Sequence, residues 1–339
     1  KEMAKRWVNR PEGSNWGDFG DDDQLGRINL LTPERVRQAG AEIQTGRNFC
    51  LSLPLDFPGG NFLNVRRFPP SLSPTELDGE QWMNMSMNTV IKNATDVICD
   101  DQVLICLQYS TQWDSLAHVG SHFDADGDGV DEKVFYNGYR AGEDILGPED
   151  HVQPGALKLS IDNFAARPIQ GRGVLVDLFR HYGRERKAVN YDDLMGILEA
   201  DGIVIEEGDI LLLRTGFSEL ILEMDHHPDK AVLDKSCAAL DGQDDRLLQW
   251  ITDSGIAAIC ADNYAVENFL GKGSETPCSA LPLHQHCLFK LGLPLAELWY
   301  FAELAEWMAE NNRYRCFLTA PPLRLPKAVG SPATPVATV

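Results

Sequence analysis

The chain is poor in basic residues, has no cysteine pair spaced C-x-x-C, and contains no apolar run of transmembrane length. With 51 acidic residues against 30 basic ones, its 339 residues carry a net charge of −21. A negative field of this size disfavours binding to nucleic acid and to anionic membrane surfaces. No signal-peptide pattern opens the chain. We therefore expect neither a nucleic-acid partner nor a membrane partner.

Eight cysteines are scattered along the chain, and several lie in apolar runs, at 97–99, 104–106 and 258–260. Such positions favour buried, reduced thiols over disulfides, which predicts a cytoplasmic protein. Hydrophobic residues make up 43% of the chain, enough for a sizeable core.

The most informative stretch is 104–122, LICLQYSTQWDSLAHVGSH. Apolar and polar residues alternate in its first half, which predicts a strand with one face of Gln, Ser and Asp side chains. Buried amides and carboxylates cost free energy unless a metal ion or a polar substrate satisfies them. Asp114 on this polar face is followed by His118 and His122, so one segment supplies three candidate metal ligands or proton carriers. We interpret it as part of an active site.

A second informative stretch is 281–299, LPLHQHCLFKLGLPLAELW, which predicts a helix between a proline at 282 and a glycine at 292. His284 lies on the more apolar face of this helix, whereas His286 points about 200° away. We therefore expect His284 to point inward. Glu297 follows in an apolar run, where a carboxylate needs a partner. A lone inward histidine is more often a core residue, so this stretch is informative only together with the first one.

Strands and helices alternate from residue 171 onward, which predicts α/β layering. Helix caps are expected at Asn190 and, near the start of the chain, at Thr32, whose helix we expect to close at Gly46. Buried strands are predicted at 171–179, 208–216 and 256–263, and a further helix around 247–251.

An acidic loop at 124–135 matches part of a calcium-binding loop. It carries Asp124, Asp126 and Asp128 at the first, third and fifth positions, and Glu132 at the ninth. The twelfth position, where a bidentate glutamate belongs, is Phe135. An acidic surface turn is the favoured interpretation, and a calcium site that stabilises the fold is the alternative.

These segments resemble those of the cyclase family of metal-dependent hydrolases, which includes kynurenine formamidase, isatin hydrolase and trans-dienelactone hydrolase. The resemblance spans most of the chain and is nearest to the longer branch, typified by QWDSLAH. In order along the chain it rests on NWGDFGDDDQLGRINLLTPE, SLPLD at 52–56, RGVLVDL, GDILLLRTG, ADNYAVE at 261–267, PLHQHCLFKLGLPLAEL and VGSP at 329–332.

The family signature, His-x-Gly-Thr-His-x-Asp-x-Pro-x-His, aligns with residues 108–118. Asp114 and the closing His118 are retained, whereas Gln108 and Gln112 replace the two leading histidines. A second alignment stays open, since HVGSHFD at 118–124 fits the first seven positions. We prefer the first alignment because it places the motif at the end of a strand and leaves the acidic loop as an insertion.

The resemblance assigns the remaining metal positions to His284 and Glu297. Because two imidazoles have become neutral amides, a two-zinc site is disfavoured. The remaining set suits one divalent ion, Zn or Mn, and consists of Asp114, His118, His284 and Glu297 with Gln112 as a weak oxygen donor. His122 is the alternative ligand in place of a missing one.

This resemblance implies hydrolysis of a small cyclic or aromatic amide or lactone by a metal-activated water. His118, or His122 if His118 is a ligand, would carry the proton. Gln108 or Gln112 would help to hold the oxyanion. The aromatic residues proposed to line a substrate pocket are Trp16, Phe19, Trp82 and Trp113.

For Arg66 and Arg67, solvated surface positions are the favoured interpretation, and a clamp for a substrate carboxylate is the alternative. Two rival functions remain open at this stage. The protein could be a lactonase rather than an amidase, or a catalytically silent small-molecule binding protein that kept the fold and lost its metal.

The resemblance implies a single α/β domain, built on a central β-barrel-like mixed sheet of the swivelling β/β/α type and flanked by helices. We assign residues 1–48 to an N-terminal arm and first helix, and residues 49–339 to the hydrolase domain. Family members are commonly dimers or tetramers, so a homodimer or homotetramer is expected.

Overall fold

One mixed sheet of nine short strands organises the computed structural model, which describes residues 5–269 and 274–339. The sheet curls into a half-barrel flanked by helices, which confirms the predicted fold class. Across the sheet the strand order is β1-β9-β7-β3-β4-β5-β6-β2-β8. In chain order the strands are β1 (Asn48–Cys50), β2 (Gln112–Asp114), β3 (Gln170–Asp177), β4 (Ile210–Arg214), β5 (Ala258–Ala261), β6 (Leu295–Glu297), β7 (Arg315–Thr319), β8 (Gly330–Pro332) and β9 (Val336–Thr338).

Strands β3, β4, β5 and β6 run parallel to one another at the centre of the sheet. Strands β4 and β5 are nearly continuous apolar runs, and β3 contains the run VLV, as expected for strands that are covered on both faces. The outer strands pair antiparallel, and β2 joins the sheet against β6 on one side and β8 on the other. This pairing brings the predicted site segment next to the central strands.

The helices cover the sheet and end in the turns that connect its strands. They are α1 (Pro33–Gly40), α2 (Asp162–Ala166), α3 (Leu178–Tyr182), α4 (Tyr191–Ala200), α5 (Phe217–Glu223), α6 (Lys230–Leu233), α7 (Asp245–Ser254), α8 (Pro282–His284) and α9 (Ala302–Glu310). Helix α8 continues as a π-helical segment, Gln285–Leu291. In the described part of the chain, every helix is too short or too polar to cross a lipid bilayer.

Shorter elements fill the connections. Single 3₁₀ turns lie at Gly26–Leu30, Met87–Thr89, Tyr136–Gly138 and Pro148–Asp150. Six separate two-stranded pairs join Ser71–Pro74 with Asp101–Leu104, Glu76–Leu77 with Glu80–Gln81, Met85–Ser86 with Val97–Ile98, Ser121–Phe123 with Glu132–Val134, Ile145–Leu146 with Gly155–Ala156, and Lys187–Val189 with Ala238–Leu240.

Both predicted helix caps are confirmed. The Thr32 side chain accepts a hydrogen bond from the Arg35 N–H, and the Asn190 side chain accepts one from the Asp193 N–H. Helix α1 ends earlier than predicted, at Gly40 rather than Gly46. The buried strands predicted after residue 171 all occur. The first begins one residue earlier and ends two residues earlier than predicted, and the other two are each two residues shorter at both ends.

The prediction of one strand over the first half of 104–122 is wrong, because the main-sheet strand is much shorter. Asp101–Leu104 instead pairs with Ser71–Pro74, a turn region follows, and only Gln112–Asp114 joins the main sheet. The alternation of polarity is overridden by tertiary contacts, because Tyr109 turns inward and donates its hydroxyl to the Gly60 carbonyl. Its own N–H closes a turn on Cys106.

All eight cysteines are free, as expected, but only four are buried: Cys237, Cys260, Cys287 and Cys316. Burial raises the pKa of Cys237 and of Cys316 to about 12, so these thiols stay protonated and unreactive. The apolar runs at 97–99 and 104–106 did not indicate burial, since Cys99 is exposed and Cys106 is half-buried.

The N-terminal arm wraps the body, and its residues 1–4 lie outside the described residues. Trp16 is fully buried, and its indole N–H donates to the Phe289 carbonyl over 2.8 Å. Arg27 is also buried and donates to backbone carbonyls of Ile251, Thr252 and Ile256. These contacts fasten the arm to α7 and to the segment after α8.

Removing the Asn190 cap tests how α4 begins. We expect Asn190→Ala to lower the free energy of unfolding by about 1 kcal/mol, because the Asp193 N–H loses its acceptor. Asn190→Asp keeps a capping oxygen and should match the wild type. Urea unfolding followed by circular dichroism measures the difference, and equal midpoints for Asn190→Ala and the wild type would contradict this role.

Candidate metal centre

Three side chains from distant parts of the chain meet inside the fold: Asp114 on β2, His284 at the end of α8, and Glu297 at the end of β6. The Nε2 atom of His284 lies 3.3 Å from Oε1 of Glu297 and 4.0 Å from Oδ2 of Asp114. All three residues are buried. Ligand atoms that share one ion at about 2.1 Å lie about 3 to 4 Å apart, so this spacing suits a single divalent cation.

The pleat of β2 decides which of its side chains reach this cluster. Gln112 pairs in register with Glu297 across the β2–β6 ladder, so the two side chains share a face, and Asp114 lies two residues along on the same face. Trp113 points to the opposite face. There its indole packs edge-on against Trp299 and donates to the Ala320 carbonyl over 2.8 Å.

Asp114 and Gln112 carry buried polar atoms with no partner. Within the described residues, both carboxylate oxygens of Asp114 and both amide atoms of Gln112 lack a hydrogen bond. Burial raises the pKa of Asp114, against the opposing charge of His118. Unsatisfied buried groups of this kind are costly. A cation at this point would pair with the oxygens, so the residues fit the metal ion implied by the sequence.

Glu267 orients His284, a role that the sequence analysis missed. Its Oε1 lies 2.7 Å from Nδ1 of His284 and also accepts the His284 N–H, while Oε2 accepts the Leu283 N–H. A carboxylate that holds the second ring nitrogen fixes both the tautomer and the direction of the first one. The only sequence signal was the position of Glu267 at the end of the family-like segment ADNYAVE.

These carboxylates also set the charge of the imidazole. Burial alone lowers the pKa of His284, but hydrogen bonds to Glu267 and Glu297 outweigh it and raise the pKa to about 10. In return, the hydrogen bond and charge of His284 hold the pKa of Glu297 below its usual value despite burial. Without a cation, the protonated imidazole is therefore the positive charge among these carboxylates.

A strained turn after β5 supports both glutamates. Ala265 and Val266 have φ of 73° and 57°, a region that a β-branched residue such as Val266 rarely adopts. In this conformation the Ala265 N–H donates to Oε2 of Glu297 over 2.8 Å, and Glu267 comes next in the chain. Strain of this kind persists where surrounding contacts enforce it, typically at functional sites.

The helix that carries His284 faces the site as predicted. Pro282 opens α8, and the π-helical segment ends at Gly292, whose φ of 59° suits a helix end. His286 points the other way and contacts the Thr252 hydroxyl at 2.8 Å. Burial lowers the pKa of His286 to about 4, so it is neutral and takes no part in the cluster.

A cleft of about 450 Å³ opens onto the cluster. Its lining joins His284 and Glu297 to side chains that the sequence analysis had not proposed: Asn64, Val119, Tyr264, Phe269 and Leu281. His118 lies on its wall, with Nε2 3.7 Å from Oδ1 of Asp114. Arg66 and Arg67 also line the cleft, where Arg66 is exposed, as favoured for it, and Arg67 is half-buried. The N–H group of the Arg67 guanidinium donates to the Gln108 carbonyl over 2.7 Å.

The structure does not bring every sequence-proposed residue to this cleft. His122 is exposed on the strand Ser121–Phe123 and does not belong to the cluster of Asp114, His284 and Glu297. This position does not favour the second alignment, in which His122 would be a metal ligand. Trp16 and Trp113 are core residues, because each indole N–H reaches a buried carbonyl. Phe19 is half-buried in the N-terminal arm, and Trp82 is half-buried in the segment between Ser71–Pro74 and Asp101–Leu104.

The aspartates of the acidic loop lie close together but do not form a clear set of calcium ligands. Asp124, Asp126 and Asp128 have oxygens within 4.8 Å of one another. However, Asp124 accepts the N–H groups of two loop glycines, and Glu132 turns away to pair with Arg140 over 2.8 Å. The carboxylates thus serve the loop as turn acceptors, in keeping with the favoured acidic surface turn. The calcium alternative stays a prediction.

A family model and several solved structures match this chain. A family model described as "Putative cyclase" matches residues 51–268. A crystal structure described as a novel cyclase is 32% identical, with a TM-score of 0.74, and the match covers 96% of this chain and 97% of that one. No curated protein matches the chain.

Two isatin hydrolase structures share the fold at lower identity. The enzyme from Labrenzia aggregata, bound to benzyl benzoate, is 14% identical with a TM-score of 0.54, over 86% of this chain and 93% of that one. The enzyme from Ralstonia solanacearum is 14% identical with a TM-score of 0.54, over 90% and 97%.

The hydrogen bond from His284 to Glu267 can be tested in the metal-free protein. We expect NMR titration to show His284 protonated up to about pH 10, and Glu267→Gln to lower that pKa, because a neutral amide replaces the carboxylate. Since the folded pKa is raised, this stabilisation is full below about pH 6.5, declines as the pH rises, and is gone above about pH 10.

Glu306→Gln is the matched control, because Glu306 is exposed on α9. It should leave the titration of His284 unchanged. An unaltered His284 pKa in Glu267→Gln would show that Glu267 does not set the charge of this imidazole.

Proposed function

This chain belongs to the cyclase family, and we propose that it is a metal-dependent hydrolase that opens a small cyclic or aromatic amide or lactone. The observation that carries the proposal is the buried cluster of Asp114, His284 and Glu297 at the base of the cleft. A cluster of two carboxylates and an imidazole, with the unpartnered amide oxygen of Gln112 beside it, has the chemistry of a divalent metal site.

One divalent ion, Zn or Mn, is the cofactor that fits these residues. Asp114, His284 and Glu297 would hold it, with Gln112 as a weak oxygen donor and Glu267 holding His284 in place. Oxygen donors outnumber nitrogen donors in this set, which suits Mn at least as well as Zn. When bound, the ion would lower the pKa of a water molecule and polarise the carbonyl of the substrate.

His118 is our candidate for the proton carrier. It stands on the cleft wall, its side chain is 23% exposed, and its Nε2 faces Asp114 at 3.7 Å. An imidazole in this position can accept a proton from water beside the cluster and return it to the leaving nitrogen or oxygen. His122, the alternative, is exposed on a separate hairpin.

The cleft offers an apolar wall and a positive rim. Tyr264 and Phe269 present ring surfaces to a small cyclic or aromatic substrate. Arg66 and Arg67 add positive charge beside these rings in a chain whose net charge is −21. Ring opening of a lactam or lactone by water produces a carboxylate, which a guanidinium binds well.

We propose a cytoplasmic location as well, supported by eight free cysteines, a pattern typical of a reducing compartment.

Metal dependence is the first test. We expect chelator treatment to abolish turnover on a panel of lactones, lactams and N-acyl aromatic amides, and Mn or Zn to restore it. Asp114→Asn should lose bound metal and turnover together. His118→Ala should lower kcat by about 10² to 10⁴-fold while metal content, measured by mass spectrometry, stays near the wild-type value.

His227→Ala is the matched control, because His227 is exposed and far from this cluster in the sequence. It should keep full activity, and His122→Ala tests the alternative proton carrier directly. A purified protein that binds neither Mn nor Zn, yet binds members of the panel, would support the catalytically silent binding protein instead. Turnover confined to the lactones would identify a lactonase rather than an amidase.

Arg67 gives a separate prediction about the product. We expect Arg67→Gln to raise the inhibition constant of a carboxylate product about tenfold or more, while KM for the neutral substrate changes less, because only the product carries a charge for the guanidinium to bind. Product-inhibition kinetics measure both constants. Equal changes in the two would show that Arg67 does not distinguish product from substrate.

A further inference from the structure

Residues 68–104, which we call the exposed segment, form ordered structure without a core of their own. All of these residues are described, and none of them is buried. Their strands form three antiparallel pairs, Ser71–Pro74 with Asp101–Leu104, Glu76–Leu77 with Glu80–Gln81, and Met85–Ser86 with Val97–Ile98. None of these pairs joins the main sheet in the described part of the chain.

The backbone hydrogen bonds of the exposed segment are made between residues of the segment itself. Thr75 and Asp100, Trp82 and Thr75, and Met87 and Asp96 are joined through their backbones. Among the described residues, its link to the body is made at its base, where the Phe68 N–H meets Sγ of Cys106 at 3.4 Å. The body therefore gives this segment little support.

Large apolar side chains cover the exposed segment. Nine of them are between 44% and 79% exposed: Phe68, Leu72, Leu77, Met83, Val90, Ile91, Val97, Val103 and Leu104. Three of them lie on the longest pair, Ser71–Pro74 with Asp101–Leu104, and they occupy both of its faces. Leu72 and Val103 are opposite each other in register, whereas Leu104 points to the other side. Isolated exposed apolar residues are ordinary, but a group of this size marks a contact surface.

A two-stranded hairpin is marginally stable at best in water on its own. The exposed segment consists of such pairs, so a stable form needs a cover that is present whenever the chain is folded. A second copy of the same chain meets this need, since two apolar surfaces related by a two-fold axis complement each other.

We propose that the exposed segment is the surface through which two copies of this chain assemble. If each of the nine side chains buries roughly 60 to 120 Å², they supply on the order of 800 Å², which is what one partner contributes to a standard protein interface. The same surface does not suit a membrane or nucleic acid, because residues 68–104 carry six acidic residues against one basic residue.

Sedimentation velocity on the full-length protein tests the proposal. The wild type should sediment with at least twice the mass of one chain at micromolar concentration. Val103→Glu, combined with Leu104→Glu, should shift it to the monomer, because two charges would be buried without partners in the interface. Val204→Glu is the matched control: Val204 is 55% exposed in the body, against 51% for Val103, and this variant should keep the wild-type mass.

Hydrogen exchange supplies a second readout, which separates lost assembly from a misfolded body. Amides of residues 71–73 and 101–104 should be protected in the wild type and exchange at least tenfold faster in the double variant, while β3 and β4 stay protected in both. A monomeric wild type would overturn the proposal, and so would a double variant that keeps the wild-type mass. Binding of the monomer to anionic or neutral vesicles through this segment would also overturn it, in favour of a lipid surface.

Discussion

The burial of three carboxylates around one imidazole is the constraint on which the rest of the structure depends. Asp114, Glu267 and Glu297 surround His284 at positions closed to solvent. Such an arrangement is unfavourable unless positive charge and hydrogen bonds compensate it. The strained turn after β5, the backbone N–H groups at the start of α8, and the pairing of β2 with β6 all act to supply or position that compensation.

The central parallel strands explain why the site lies where it does. The parallel strands β5 and β6 end at the same edge of the sheet. The turn after β5 supplies Glu267 at this edge, and the end of β6 supplies Glu297. Polar groups at the carboxyl ends of parallel strands are the usual location of a ligand in α/β folds. Antiparallel β2 then brings its two polar side chains to this edge and sends Trp113 into the core.

Local patterns predicted much of this arrangement, and tertiary contacts decided the rest. Caps at Thr32 and Asn190 and the inward face of His284 follow from neighbouring residues, which the sequence displays directly. Glu267 escaped notice because its partner lies 17 residues away, and because the turn that precedes it has a rare backbone conformation. Alternating polarity also misled the analysis around Tyr109, where a contact with Gly60 replaced a strand with a turn.

The close approach of Phe68 and Cys106 has an evolutionary consequence. A segment whose two ends meet at one point can be lengthened, shortened or exchanged at little entropic expense to the body, since loop-closure entropy changes slowly with length. The ligand residues Asp114, His284 and Glu297 all lie outside these ends. Under the proposed assembly, the contact between two copies and the ligand cluster lie in different parts of the chain, so each could change without the other.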